Sequence, residues 1–194
     1  MGKLGEARTL GGVGSLLVLL AFVPYAGPAL AIAGFILILI AVKYISDHLQ
    51  DKAIFNNMVI AALAGVLGVV VAVLIIFASI LSYVGLHPFA GTSIDVPPPL
   101  SRGVFGLLAA ILLALLVMWA LYLVSAVYLR RSFDSIAAKL NVNLFGTAAL
   151  LYLLGAVLTI ILIGFLLIFI AEILQLLAFF SIAEQPIQPL TQHP

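Results

Sequence analysis

The sequence predicts an all-α fold, a polytopic transmembrane bundle of six helices. Hydrophobic residues make up 65% of the 194 residues, charged residues only 8%, and the mean hydropathy is +1.37. A soluble globular chain carries about 45–50% apolar and about 25% charged residues, so this composition excludes a water-soluble fold. Lipid leaves only helices or closed barrels, because each backbone N–H and C=O must be paired internally. The long apolar runs lack the alternation of barrel strands, which leaves helices.

Basic residues indicate the orientation of these helices. Seven of the eight lie in three polar segments that alternate with the apolar runs: Lys3 and Arg8, then Lys43 and Lys52, then Arg130, Arg131 and Lys139. Segments on the cytoplasmic side of a membrane are enriched in Lys and Arg. With six helices, all three segments share one side. We therefore predict a multi-pass protein of the cell (plasma) membrane with its N-terminus and C-terminus in the cytoplasm.

The first two helices are predicted over residues 10–23 and 28–45, as a tight hairpin. The turn signal is Pro24-Tyr25-Ala26-Gly27-Pro28. The first arm is about 21 Å of helix, shorter than a hydrocarbon core of about 30 Å. It either tilts, thins the bilayer, or leans on its neighbours without fully spanning.

Two long helices are predicted next, over residues 58–85 and 103–129, with an outside loop between them. Each has small residues at four-residue spacing, a pattern that lets two helix backbones approach closely in lipid. We expect the two helices to pack through these stripes. The residues are Ala64, Gly68 and Ala72 on the first, and Gly106, Ala110 and Ala114 on the second.

The last apolar run covers residues 142–183 and follows a short amphipathic connector. A single helix of that length would be about 63 Å long, twice the hydrocarbon thickness. We predict a second tight hairpin with helices over residues 142–160 and 164–182, turning between Thr159 and Gly164. A single span is the alternative, and the basic residues do not decide between them. One transmembrane domain then covers residues 1–183, with a Gln/Pro-rich tail over residues 184–194.

The second arms of the two hairpins share a short sequence pattern. Residues 34–41 read Gly-Phe-Ile-Leu-Ile-Leu-Ile-Ala and residues 164–171 read Gly-Phe-Leu-Leu-Ile-Phe-Ile-Ala. Inverted repeats build many transporters. The alternative is a chance match between two Ile/Leu-rich helices.

Glu172 is the strongest candidate for a functional residue. It falls near the middle of the sixth predicted helix, with Gln175 one turn later on the same face. A carboxylate inside a membrane is costly, so its presence suggests a proton or cation site or a polar clamp between subunits. A carboxyl that reaches water, or one that stays protonated against a neighbouring helix, is the alternative.

Two surface clusters have simpler interpretations. A metal site would use Asp47, His48 and Asp51, but His48 lies about 100° around the helix from Asp47. A solvated helix end with local ion pairs to Lys43 and Lys52 is therefore favoured. Anionic lipid headgroups are candidate ligands for three basic residues, which otherwise only anchor the topology. These are Arg130, Arg131 and Lys139.

Enzyme motifs are absent from the sequence. It has no cysteine and no zinc, Walker or dinucleotide pattern. The stretch from Gly11 to Ser15 superficially matches a serine elbow, but no histidine lies at membrane depth to act as its base. Because the net charge is only +1 and the sequence has no basic, aromatic-rich patch, we predict no nucleic-acid partner. We predict no catalytic residue, no metal and no cofactor.

Both ends of the chain resemble a known family. The residues that carry the resemblance are 10–15, 22–28 and 40–47 near the start, and 143–145, 151–156 and 178–182 near the end. They are similar to the uncharacterised prokaryotic, mostly archaeal and often thermophilic, membrane family named domain of unknown function 996. The resemblance implies a multi-span membrane protein and carries across no catalytic residue.

These observations predict an integral membrane protein of unknown activity that is not an enzyme. The leading hypothesis is a non-catalytic structural, accessory or assembly component that acts through helix packing. Its expected partners are the lipid bilayer and either further copies of itself or other membrane subunits. The alternative is a small channel or carrier with Glu172 and Gln175 on its path.

Overall fold

The computed structural model describes residues 2–83 and 100–183, and throughout these ranges the regular structure is helical. The prediction of a bundle of six helices is confirmed. The bulk of the predicted outside loop and the tail over residues 184–194 lie beyond the described ranges. The six helices are α1 (Lys3–Leu19), α2 (Gly27–His48), α3 (Lys52–Tyr83), α4 (Leu100–Leu140), α5 (Asn143–Leu158) and α6 (Ile163–Phe180).

Helices α2 to α6 are each long and apolar enough to cross a membrane, which makes this a multi-pass membrane protein. Helix α1 has 17 residues, about 26 Å of helix. It begins at Lys3, before the predicted start at residue 10. The charged first turns join the helix because Leu4 and Ala7 pack inward while Lys3 and Glu6 stay exposed.

The described chain forms two compact units. The first contains residues 1–59 and 126–194, and the second contains residues 60–125. In the first unit the core lies at the end where α1, α3 and α5 begin and α2, α4 and α6 finish. The largest side chains there with almost no exposure are Ile45, Ile54, Met58, Phe133, Ile136, Phe145, Phe179 and Ile182. The three basic segments therefore share one end of this unit.

Three aromatic rings join α4, α5 and α6 inside this core. The ring centroids of Phe133 and Phe145 are 5.4 Å apart, and those of Phe145 and Phe179 are 5.0 Å apart. Both pairs meet edge to face, a favourable arrangement for aromatic rings. We call Phe133, Phe145 and Phe179 the aromatic trio.

Helix α4 continues to Leu140, past its predicted end at residue 129. The prediction of a separate connector after this helix is therefore wrong. Phe133, Ile136 and Ala137 recur at helical spacing and are buried in the core. The opposite face is polar, with Arg130 paired to Asp134 one turn later at 3.3 Å. The predicted amphipathic character is therefore that of a helix extension.

Two helix ends are closed by a residue in the left-handed conformation. Gln50 follows α2 with φ of 52°, and Asn141 follows α4 with φ of 56°. The next amides, of Asp51 and Val142, donate to the carbonyls of Ser46 and Ala137, both over 3.1 Å. These are Schellman closures, which satisfy carbonyl groups that the helix leaves free.

Both tight hairpins are present, and each is held by a contact between two glycines. A Cβ added at Gly14 would lie 2.7 Å from the carbonyl oxygen of Gly34, so α1 and α2 touch backbone to backbone. A Cβ added at Gly155 would lie 2.9 Å from the carbonyl oxygen of Gly164, which joins α5 to α6 in the same way. The second turn lies at Thr159–Ile161 and Leu162, so the run after Val142 folds back.

The second unit consists of the paired segments of α3 and α4. Gly68 packs on α4, where an added Cβ would be 3.2 Å from Leu121 Cβ and 3.4 Å from the Met118 carbonyl oxygen. Ser125 donates from Oγ to the carbonyl of Ala61 over 2.7 Å. Ala64, Ala72 and Ala114 are buried and Ala110 is half-buried. Gly106 instead is exposed with open space around it, so it takes no part in this contact.

Candidate intramembrane polar site

Glu172 and Gln175 lie on the buried face of α6, within the first unit. The helix runs from Ile163 to Phe180, which places Glu172 about 12–14 Å from either end. Only 5% of Glu172 and 3% of Gln175 is exposed. The three-residue spacing puts both on one face of the helix. The two residues singled out from the sequence therefore lie together.

Helix α1 supplies a third polar residue. It packs antiparallel to α6, with Gly11 against the ring of Phe179 at one level. One turn further along α1, Ser15 accepts a hydrogen bond at Oγ from Gln175 Nε2 over 2.8 Å, and Ser15 is completely buried. Sequence reasoning placed Ser15 only in a glycine-rich helix start. The available signal was the four-residue spacing of the small residues Gly11 and Ser15, which puts both on the face of α1 that packs against α6.

The Glu172 carboxyl has a different environment. Among the described residues, it forms neither a side-chain hydrogen bond nor an ion pair; the ion pairs found there join Arg130 to Asp134 and Lys139 to Asp51. Burying an ionised carboxylate without a partner is costly, whereas a protonated carboxyl is far less so. We refer to Ser15, Glu172 and Gln175 as the polar cluster.

The two hairpins repeat one packing geometry, which puts the polar cluster in context. A Cβ added at Gly14 would be 3.0 Å from both Cγ1 and N of Ile38. A Cβ added at Gly155 would be 2.7 Å from Cγ1 and 3.2 Å from N of Ile168. Ile38 and Ile168 each lie four residues after the second glycine of their hairpin. The pattern shared by residues 34–41 and 164–171 thus corresponds to a shared contact.

Extending this correspondence shows what differs between the hairpins. Val42 and Ile45 of α2 occupy the positions equivalent to Glu172 and Gln175, and both are fully buried. On the first arms, Ser15 corresponds to Ala156, which is also fully buried. The polar cluster is therefore made of polar residues, whereas the three equivalent positions, Ala156, Val42 and Ile45, are all apolar.

Of the candidate metal ligands Asp47, His48 and Asp51, the structure gives Asp51 a role in the turn that follows α2. Asp51 accepts from the Ala53 amide at 3.0 Å and from Lys139 Nζ at 2.7 Å. The Lys139 hydrogen bond, together with that of the Ala53 amide, lowers the pKa of the Asp51 carboxyl below its ordinary value. Lys43, expected among local ion pairs, lies over the Phe55 ring at 5.1 Å. Within the described ranges, no three His, Asp or Glu side chains are grouped to hold a metal ion.

The three candidate lipid contacts each have a protein neighbour. Arg130 pairs with Asp134, and Lys139 with Asp51. The Arg131 guanidinium lies over the Tyr128 ring, 5.1 Å from its centroid. These residues remain at the surface, so contact with anionic headgroups stays a prediction.

Comparison with known proteins adds a family. Residues 30–173 match the model of the family described as "Protein of unknown function (DUF996)", and this range includes the middle of the chain, where the sequence resemblance is weak. An uncharacterised protein of Methanocaldococcus jannaschii is 29% identical over 182 residues, which cover 94% of either chain. No solved structure matches. Because the family model matches well over half of the sequence, the chain belongs to the DUF996 family of proteins of unknown function.

Proposed function

We propose that this protein is a non-catalytic component of the membrane, which acts by packing its helices into an assembly. The observation that carries this proposal is how the buried polar side chains are used. Ser15 and Gln175 bond to each other between α1 and α6, and Ser132 donates from Oγ to the Ile54 carbonyl over 2.8 Å. Ser46 donates to the Asp51 carbonyl at 2.7 Å and closes a turn. Five polar residues are buried in the part of the chain that the structure describes, and among these only Glu172 is outside this pattern.

Polar bonds between helices stabilise association in lipid, where the hydrophobic effect gives helices no preference for one another. Close glycine contacts act in the same way, since they let backbones approach and gain dispersion energy. This chain uses glycine contacts within each hairpin, a polar bond between α1 and α6, and both devices between α3 and α4. Its interior is thus suited to holding a defined helical shape.

The exposed apolar surface of α3 and α4 is where we propose that partners bind. Leu63 on α3 and Leu112 on α4 are 64% and 68% exposed, and neighbouring outward side chains are equally apolar. The bilayer covers such surfaces by default. We propose that further copies of the chain cover part of the surface of α3 and α4.

For orientation, we propose that both termini and the three basic segments lie in the cytoplasm of a cell bounded by the plasma membrane. The support is that these segments share one end of the first unit, as the excess of Lys and Arg on the cytoplasmic side requires.

The mass of the extracted protein tests the assembly proposal. Native mass spectrometry after release from nanodiscs should show more than one chain per particle. The sequence has no cysteine, so Leu63→Cys and Leu112→Cys give unique sites for oxidative cross-linking in native membranes. We expect disulfide-linked dimers from at least one of them, and far fewer after dilution in detergent. A monomer in nanodiscs with neither cross-link would contradict the proposal.

A further inference from the structure

We infer that Glu172 is a proton-binding site inside the membrane, a carboxyl group that takes up and releases a proton while buried between helices. This goes beyond a packing role, and its success or failure is independent of whether the chain assembles with copies of itself.

The first argument is that packing does not require an acid at this position. The α1/α2 hairpin is built on the same glycine and isoleucine contacts, and it has Val42 where α6 has Glu172. Val42 is fully buried, so an apolar side chain satisfies the same geometry. An intramembrane acid that the fold can dispense with indicates a chemical role.

The second argument concerns the charges around the carboxyl. Helices α1 and α5 pack against α6. The charged residues of α1 are Lys3, Glu6 and Arg8, and the pairing of Gly11 with Phe179 and of Ser15 with Gln175 places Glu172 at the level of Val18. Arg8 is ten residues from that level, about 15 Å along the helix. Helix α5 carries one titratable residue, Tyr152, which is half-buried. Within the described ranges, no cation on these elements lies at the depth of Glu172.

The third argument identifies the ligand as a proton. A bound metal cation needs several oxygen ligands, commonly six or more for hard cations such as Ca²⁺. Beside Glu172 the polar cluster offers only one amide oxygen, of Gln175, and one hydroxyl oxygen, of Ser15, and the hydroxyl oxygen already accepts from the Gln175 amide nitrogen. That number of oxygen ligands falls short of what a hard cation needs. A proton needs a single carboxylate oxygen. Uptake of one proton converts the carboxylate to the neutral acid, the form that a lipid environment favours.

Gln175 and Ser15 are positioning residues in this arrangement. Their bond fixes α6 against α1 one turn from Glu172, and so keeps the carboxyl on the buried face. In the α1/α2 hairpin the equivalent Ile45 holds its position by packing alone. The bond therefore orients the face that contains the acid.

The test is modification of the full-length protein in phosphatidylcholine liposomes with dicyclohexylcarbodiimide, an apolar reagent that reacts with protonated carboxyls. The acid O–H adds across a C=N bond of the reagent, and the adduct rearranges to an N-acylurea without loss of atoms. Peptide mass spectrometry should find the reagent on Glu172 at about pH 7. A free carboxyl at its reference pKa of about 4 is less than about 1% protonated there, and the pKa of Asp51 lies below its ordinary value, so labelling of Glu172 should exceed that of Asp51 by about a hundredfold or more.

Two variants and two conditions complete the experiment. Glu172→Gln should abolish the labelling at this position. The double variant Glu172→Val with Gln175→Ile reproduces the α2 pair, and it should fold and stay unlabelled. Labelling of Glu172 should be lower at raised pH. Returning the protein to about pH 7 before the reagent is added should restore it. A folded wild-type protein that is unlabelled at Glu172, labelling that is insensitive to alkaline pH, or protection by Na⁺ or Li⁺ relative to choline would each overturn the proposal.

Discussion

Gln175 on α6 donates a hydrogen bond to Ser15 on α1 across 160 positions of sequence, over 2.8 Å and with both residues buried. The bond joins the first arm of one hairpin to the second arm of the other. Among the described residues, this polar contact ties the first helix to the last.

Removing one member of this pair should destabilise the protein by about 1–2 kcal/mol, because the other is left buried without a partner. Ser15→Ala therefore lowers stability, whereas Ser15→Ala combined with Gln175→Ile replaces both partners with the apolar residue types of the equivalent positions, Ala156 and Ile45, and should recover part of the loss. The coupling energy from the double-mutant cycle should be about 0.5–1.5 kcal/mol. Reversible unfolding in mixed micelles measures it, and strictly additive effects would show that the bond contributes nothing.

A side chain at the glycine contacts should separate the hairpin arms. Gly155→Val places atoms where the Gly164 carbonyl and Ile168 now lie, so we expect a loss of about 1–3 kcal/mol or failure to fold. Gly106→Ala is the matched control, since a Cβ there meets open space and Ala favours helix by about 1 kcal/mol over Gly. Thermal melting of both variants distinguishes them. Equal losses at the two positions would be inconsistent with these contacts.

Acid should weaken the contact between Asp51 and Lys139. The folded-state pKa of Asp51 lies below its ordinary value of 3.8, so the contact contributes stability above about pH 4 and loses it as the pH falls through the folded-state pKa. Lys139→Met should therefore lower the melting temperature slightly at neutral pH, and the difference from wild type should vanish in acid. Both side chains are partly exposed, so the effect is small. A difference that grows in acid would have the wrong sign.

Orientation in the membrane can be measured with single cysteines. Tyr25 at the first hairpin turn and Gln50 at the end of α2 are both exposed and lie at opposite ends of α2. We expect an impermeant maleimide to label Tyr25→Cys in intact cells, and Gln50→Cys only after permeabilisation. The reverse pattern would place the basic segments outside.

Hydropathy alone predicted the helical class and the number of helices, because a run of apolar residues in lipid has few alternatives to a helix. The same principle predicted the fold-back after Val142, since a helix of that length would exceed the bilayer. Even the turn at Thr159–Ile161, which has almost no polar residues, lies inside the favoured stretch.

The extension of α4 was harder to predict. Arg130 and Arg131 interrupt the apolar pattern and suggest that the helix ends, yet Phe133 and Ile136 continue it on one face. The helix continues because that face is buried against other helices, and a local sequence pattern carries no information about such burial. The bond between Ser15 and Gln175 was equally inaccessible, because no local rule pairs residues so far apart. The position of Glu172 near the middle of the last helix was predicted, but its burial was not, because burial depends on which side of α6 its neighbouring helices cover.

Two packed contacts flank Glu172 along α6. One is the glycine contact of the second hairpin, and the other is the aromatic trio. Gly164, pressed against Gly155, lies about 12 Å from Glu172 in one direction, and Phe179, at the edge of Phe145, about 10 Å in the other. Each end of this stretch is closed by packed groups, one a backbone contact and the other a ring. Rings rotate more readily than backbones separate, so the Phe179 end is the easier route for water. For the proposed proton site, movement of these rings would then govern how fast the carboxyl equilibrates with the solution on the side of the basic segments.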